Sequence, residues 1–378
     1  MKMNIDVFYS SCIILLTITV STHGAKMVCQ YASWAVYRAS GGNFKPDMVD
    51  PTLCTHGVYV TAGLDSNDQL MSLDPWADLE VGGGMGGYKK FTNLKLINPE
   101  FKAILALGGW AYANSHFAAI AANSTRRREM AQSAVLFLKY YGFDGLEVDW
   151  LYPSTVNEKA NFPLLLAELR LWFEPEGFEI LATAAALELI IDQAYDLPAM
   201  GQSLDYFLMI GYDYEGAWNP WTGLTTPLYL NNSTLCVNST VNAYLSRGVN
   251  PAQLILGFPG FGRTYTLADP ALHGIGDVSL GPGDPGPYTV TAGVLSYNEI
   301  AEDTTGWTIE RDALSQAPYA YKGNQWMSMD DETSATFKAE YCTSKGLGGA
   351  AIWTVDEDRF VGEAFLLVRA ILAGFAKH

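Results

Sequence analysis

Positive charge is scarce in this chain. Its 378 residues hold 23 Lys and Arg against 40 Asp and Glu, a formal net charge of −17. Such a surface repels phosphate backbones and anionic lipid, so no nucleic acid and no charged membrane is expected as a partner. Histidine is rare as well, with five in all. His56, His116, His273 and His378 show no metal-ligand spacing. No metal and no cofactor are therefore expected. A Gly-x-Ser-x-Gly nucleophile elbow is missing. No internal repeat is evident. Long apolar runs are missing too. Ile13–Val20 is too short to cross a bilayer, and nothing later is long enough, so no membrane span is expected.

That run follows Lys2 and precedes the small residues Ser21, Thr22 and Gly24. This is the layout of a secretory signal peptide, placed at residues 1–24, and it implies a secreted, extracellular protein. Cleavage would remove Cys12 and leave Cys29, Cys54, Cys236 and Cys342. An even number of cysteines in an exported chain suggests two disulfides. Three pairings are possible, and Cys29–Cys54 with Cys236–Cys342 is the preferred one. Asn123, Asn231, Asn232 and Asn238 stand in N-glycosylation sequons, in keeping with export.

Glycine and aromatic residues are plentiful. One stretch, Gly142-Phe-Asp-Gly-Leu-Glu-Val-Asp-Trp-Leu-Tyr-Pro153, organises the rest. It reads as a helix exit at Gly142, a short buried strand, and a turn begun by Pro153. Strand alternation sends Glu147, Asp149 and Leu151 to one face, with Leu146, Val148 and Trp150 on the other. Carboxylates inside so apolar a run are expensive unless pairing or chemistry offsets them. The plain alternative is a core strand with two hydrogen-bonded acids.

Around it, apolar strand runs alternate with helical periodicity. Strands are expected at Met27–Ala32, Cys54–Ala62, Phe101–Leu107, the central stretch, Glu179–Ala186, Leu204–Asp213, Gln253–Arg263 and Ala350–Val355. Helices are expected at Arg126–Tyr141, capped by Ser124 or Thr125, and at Glu158–Phe173, Leu235–Gly248, Thr333–Lys345 and Glu363–Phe375. Eight strands, most followed by helices, favour an α/β fold of the parallel barrel type over an open sheet. Residues 264–331 break the rhythm and read as a small α+β insertion. The barrel then occupies 25–263 and 332–378. Gly82–Gly87 has a dinucleotide-like glycine pattern, but it follows an acidic segment rather than a strand and reads as a loop.

In a barrel of this kind the working residues sit at the C-terminal strand ends. Here those ends hold Trp34, Trp110, Asp149 with Leu151, Tyr212 with Asp213, Arg263 and Trp353. Flat aromatic faces stack on sugar rings, while carboxylates and arginine bond hydroxyls and amides. A single tryptophan is more often core than platform; several at successive strand ends suggest a groove.

The motifs Leu107-Gly-Gly-Trp110, Phe143-Asp-Gly-Leu-Glu-Val-Asp-Trp-Leu-Tyr-Pro153, Gly211-Tyr-Asp213, Gly257-Phe-Pro-Gly-Phe-Gly-Arg263 and Gly346-Leu-Gly-Gly-Ala-Ala-Ile-Trp353 occur in order. With them the chain resembles glycoside hydrolase family 18, the chitinases and chitinase-like proteins, from Val28 to the C-terminus. The resemblance implies a (β/α)8 TIM barrel, an α+β insertion between strand 7 and helix 7, and a groove for β-1,4-linked N-acetylglucosamine. It implies Trp353 as floor of the deepest subsite, with Asp149, Tyr212, Asp213 and Arg263 around the sugar. Trp110 and Trp218 would extend the groove one way, Trp34 and Trp76 the other.

The departures from the family pattern are as informative. Active members carry Asp-Gly-x-Asp-x-Asp-x-Glu, and this chain reads Asp144-Gly-Leu-Glu147-Val-Asp149-Trp-Leu151. Leu151 stands where the resemblance implies the proton donor. In this family the substrate's own acetamido group attacks the anomeric carbon, so loss of the donor leaves no acid for the departing oxygen. Ile210, Phe261, Ala351 and Gln30 also differ from common family residues, which suggests relaxed constraint. The expected function is a secreted, non-hydrolytic lectin for chitin or chitooligosaccharides, and the expected state a monomer. Alternatives are a signalling or structural scaffold with a protein receptor and a vestigial groove, or weak residual hydrolysis through Glu147.

Overall fold

The computed structural model describes residues 24–39, 41–110 and 114–377. Residues 1–23 of the expected signal segment, Cys12 among them, and His378 lie outside the described residues.

Eight parallel strands close into a barrel. They are β1 (Lys26–Ala32), β2 (His56–Leu64), β3 (Lys102–Gly108), β4 (Gly145–Asp149), β5 (Glu179–Ala184), β6 (Tyr206–Met209), β7 (Leu254–Pro259) and β8 (Gly349–Trp353). Each pairs with its neighbour in sequence, and β1 pairs with both β2 and β8, so no edge is left open. The short strand Leu70–Ser72 adds an antiparallel arm to β2. Both strand faces are covered, which explains runs such as Met27-Val-Cys that are apolar without alternation. Val28, Val58, Ile104, Leu181, Leu208 and Ile255 fill the barrel. The opposite faces pack against the helices through residues such as Leu146, Phe162, Leu165 and Leu169. The expected (β/α)8 fold is therefore present.

Local chemistry sets the helix ends. Helix Ser124–Tyr141 is capped by Asn123, whose Oδ1 accepts from the backbone N–H groups of Thr125 and Arg126. The expected caps, Ser124 and Thr125, lie already inside the helix. Gly142 closes it at φ +84°. Thr155 and Glu158 form a capping box at the start of helix Val156–Phe173.

A second sheet supplies the insertion. Its strands run in the order Ser279–Pro282, Phe261–Leu267, Gln325–Ser328, Pro318–Lys322 and Thr308–Arg311, with Val294–Ser296 also on Phe261–Leu267. It follows β7 and precedes helix Glu332–Ser344. The strand expected to run unbroken from Gln253 to Arg263 splits at Gly260. A Cβ there would meet the Thr354 carbonyl oxygen at 2.5 Å, and the Gly260 N–H donates to the Trp353 carbonyl. The chain turns at that close approach, so the second sheet starts at Phe261 rather than 264.

One of the two expected disulfides is formed. Cys29 and Cys54 are bridged, with their Cα atoms 5.9 Å apart. Cys236–Cys342 is not: both are buried free thiols. Cys236 heads helix Val237–Ser246, and its Sγ lies 3.3 Å from Ser239 Oγ. Cys342 sits in the last turns of helix Glu332–Ser344, where burial pushes its thiol up to about 12. Each packs as a small apolar side chain, so neither needs a bridge to be accommodated.

Candidate functional site

The C-terminal ends of the strands converge on a groove of about 630 Å³. Trp353 ends β8 and Gln30 lies opposite it in the β1–β8 register. Asp149 ends β4 opposite Gly108 of β3. Gly108 has φ +109°, and a Cβ there would sit 2.5 Å from the Asp149 carbonyl oxygen. Only glycine lets the loop carrying Trp110 pass so close to the acid. Asp213, just beyond β6, adopts φ +61°, a left-handed conformation that aspartate tolerates.

Seven of the nine expected binding residues line this groove: Trp110, Asp149, Tyr212, Asp213, Trp218, Arg263 and Trp353. Trp34 and Trp76 do not. They are 46% and 50% exposed on two short helices, Ser33–Tyr37 and Pro75–Asp78, that pack together, and Trp76 lies against Tyr37 with ring centres 5.5 Å apart. The structure does not bring these two into the groove. Sequence reasoning gave no role to Tyr152, Thr183, Leu187 and Ile190, which do line it. Tyr152 was visible inside the central motif; Thr183 lies within β5, and Leu187 and Ile190 follow it in a largely apolar stretch.

Leu151 also lines the groove, between Asp149 and Tyr152. Glu147 does not. It is 1% exposed and lies beneath, where Gln30 Nε2 donates to both its oxygens at 3.2 and 3.3 Å and the Thr183 hydroxyl donates to Oε1. Burial pushes its pKa up to about 7, against the pull of those two donors. Burial, then the charge of Glu147, drives Asp149 well above the usual carboxylate range. Asp149 Oδ1 is buried without a hydrogen-bond partner. Both carboxyls are thus held towards their protonated forms, since burial opposes charge on either and the charge of Glu147 opposes that of Asp149. Gln30 is thus not a relaxed position: its amide is a donor to Glu147.

Asp144, the first residue of the remnant motif, is elsewhere. At the opposite end of β4 its carboxylate accepts from Lys95 Nζ at 2.9 Å and from the Ala103 N–H at 2.8 Å. It ties strands together and takes no part in the groove. Arg263 also differs from expectation. Its Nε and Nη2 both donate to Asp213, each at 2.7 Å, and Trp218 and Phe261 flank the guanidinium at 5.3 and 5.0 Å. Burial works against the arginine's charge, but the ion pair outweighs it and raises the pKa. Arg263 therefore positions Asp213 and leaves less of itself for a ligand hydroxyl. Phe261 meets Tyr212 edge to face at 5.7 Å. Burial, then the charges of Asp213 and Asp149, holds the Tyr212 hydroxyl protonated as a donor. The described residues contain no cluster of His, Cys, Asp and Glu fit to hold a metal.

Residues 26–358 match the family model for glycosyl hydrolases family 18. The chain belongs to glycosyl hydrolase family 18. It is 37% identical over 362 residues to probable chitinase 2 of Drosophila melanogaster, covering 91% of this chain and 74% of that protein. It is 36% identical to mouse chitotriosidase-1, over 89% of this chain and 74% of that one. Among solved structures, a group IV chitinase of Ostrinia furnacalis superposes with a TM-score of 0.88 at 35% identity, over 93% of this chain and 100% of the other. Human YKL-39, described as a pseudo-chitinase with retained chitooligosaccharide binding, superposes with a TM-score of 0.87 at 31% identity, over 93% and 100%. Leu151 is among the residues that line the groove of this family 18 barrel.

Proposed function

We propose that this protein is a secreted lectin of family 18 that binds chitin or chitooligosaccharides and does not hydrolyse them. The observation that carries this reading is Leu151 in the groove wall, at the place the family motif reserves for the proton donor. Cleavage requires the acetamido oxygen to attack the anomeric carbon while the glycosidic oxygen takes a proton as its bond breaks. An aliphatic side chain supplies none. General acid help is worth on the order of 10²–10⁴ in rate, and a sugar alkoxide is too poor a leaving group to do without it.

No other acid takes over. Among the groove-lining residues the only carboxyls are Asp149 and Asp213. Asp213 is taken up in the ion pair with Arg263. Asp149 is two residues short of position 151, about 6–7 Å of extended chain. Glu147 lies deeper still and is fixed from two sides. The sugar-facing groups remain: the Trp353 floor, the Tyr212 hydroxyl, and the Asp149 carboxyl in the groove lining. The relatives support both halves of the reading. Several carry chitinase names, while human YKL-39 is described as having lost the activity and kept the binding. A glutamate-to-leucine variant of an Ostrinia furnacalis chitinase domain was solved in complex with (NAG)5.

Calorimetry with a chitin hexamer is the test. Saturable binding, weakened at least about tenfold by Trp353→Ala, is expected, with no shortening of the hexamer after prolonged incubation. Steady appearance of short fragments with purified protein refutes the lectin reading, as does failure of the wild type to bind.

A further inference from the structure

Beside the polar half of the groove stands a wall that offers no hydrogen bonds. Leu151 follows β4, Ala186 and Leu187 follow β5, Ile190 projects from helix Glu188–Ala194, and Ile210 follows β6; all five line the same cavity. Their side chains carry no donor or acceptor. Several of their backbone groups are also engaged. The Ile210 N–H donates to the Ala184 carbonyl at 2.8 Å, and the Ala186 carbonyl accepts from Thr240 Oγ1 at 2.7 Å. The Leu187 carbonyl accepts from the N–H groups of Ile190 and Ile191 at 2.9 and 3.0 Å. The polar side chains of the same cavity are Gln30, Asp149, Tyr152, Thr183, Tyr212, Asp213 and Arg263, with Tyr152 directly after Leu151.

The wall's position gives it a meaning. Leu151 marks where the exit oxygen of a bound sugar lies, if the lectin reading above is right, so whatever hangs from that oxygen meets this wall. A further sugar ring would bring hydroxyls against surfaces that cannot pair with them, at the cost of their water. An alkyl or aryl group would instead bury apolar surface and lose nothing polar. We propose that the groove takes N-acetylglucosamine glycosides whose exit oxygen carries an apolar group, an alkyl chain or an aromatic ring. The sugar is read by Trp353, Asp149 and Tyr212, and the apolar aglycone by Leu151, Leu187, Ile190 and Ile210. The ligand class is an amphipathic glycoside rather than an interior segment of polymer.

The inference rests on the lectin reading, and one titration series separates the two. Methyl, phenyl and octyl β-chitobioside are titrated by calorimetry below the micelle concentration, with chitohexaose as reference. Octyl or phenyl is expected to bind at least about tenfold more tightly than methyl. A gain confined to octyl assigns the wall to an alkyl chain, and a gain confined to phenyl assigns it to an aryl group. Ile190→Ser and Leu187→Ser, both at partly exposed positions, should each cut that ratio severalfold. Equal affinity for all three glycosides, with chitohexaose still bound, overturns the inference and leaves the lectin reading standing. Failure of all four ligands to bind overturns both.

Discussion

Replacing Glu147 by glutamine keeps the side chain's size and removes its titration. In the wild type, burial pushes this carboxyl from 4.5 to about 7. Between those values the folded protein holds a proton that the unfolded chain has released. The contribution of the group is therefore complete below about pH 4.5 and is lost as the pH climbs towards 7. At about 1.4 kcal/mol per tenfold change in proton affinity, the rise from 4.5 to about 7 corresponds to about 3 kcal/mol. Asp149 shares in this, because part of its own rise comes from the charge on Glu147. Glu147→Gln cannot accept as well from both Gln30 and Thr183, which adds a cost of about 1 kcal/mol independent of pH. Denaturant unfolding of both proteins at pH 4.5 and pH 7.5 gives the difference directly. The wild type should lose about 3 kcal/mol relative to the variant across that interval. Asp358 and Glu357, whose burial also raises them to about 7, are present in both proteins and cancel. A difference that does not change with pH, or changes in the other sense, refutes the picture of a buried carboxyl pair held towards protonation.

Leu151→Glu should restore little hydrolysis of chitohexaose, because Glu147 and Ile210 still depart from the family pattern around it; a robust gain measured by product chromatography contradicts this. Arg263→Met frees Asp213 and should weaken hexamer binding by about tenfold in calorimetry, since the ion pair fixes where that carboxylate points; unchanged affinity removes Asp213 from the site. A thiol reagent should find no reactive cysteine in native protein comprising residues 25–378 and two after unfolding, matching buried Cys236 and Cys342. Glycan mapping by mass spectrometry should find sugar at exposed Asn123 and at Asn231 or Asn232. Asn238 should be bare, because it is half-buried in a helix and its Oδ1 accepts from Tyr341 at 2.9 Å.

The barrel was legible because parallel strands covered on both faces write themselves as short apolar runs, and helices between them as a longer period. The strand ends were legible for a related reason: Trp110, Asp149, Tyr212 and Trp353 are costly residues at places where packing alone does not call for them. What escaped was whatever depends on a partner distant in sequence. The break at Gly260 is set by the Thr354 carbonyl, and the partner of Arg263 by the left-handed turn at Asp213. Trp34 and Trp76 have the composition of a sugar platform, and they stand exposed on short helices outside the lining of the central cavity. An even cysteine count suggested a second bridge, yet nothing in a count says whether two thiols meet.

Gln30 and Glu147 make sense only as one change. Each alone departs from the family pattern, and each alone is awkward: a longer buried acid has one more methylene to place, and a buried amide needs an acceptor. Together the amide donates to both carboxylate oxygens across the barrel from β1 to β4. That arrangement draws Glu147 downward, away from Leu151, and leaves Asp149 as the uppermost acid of the pair. Asp149 then has a buried oxygen with no partner, a feature that costs about 1–3 kcal/mol in an empty site. A leucine at 149 would remove that cost; in the proposed lectin reading the acid offsets it only when a bound sugar engages Asp149, which a leucine there could not do.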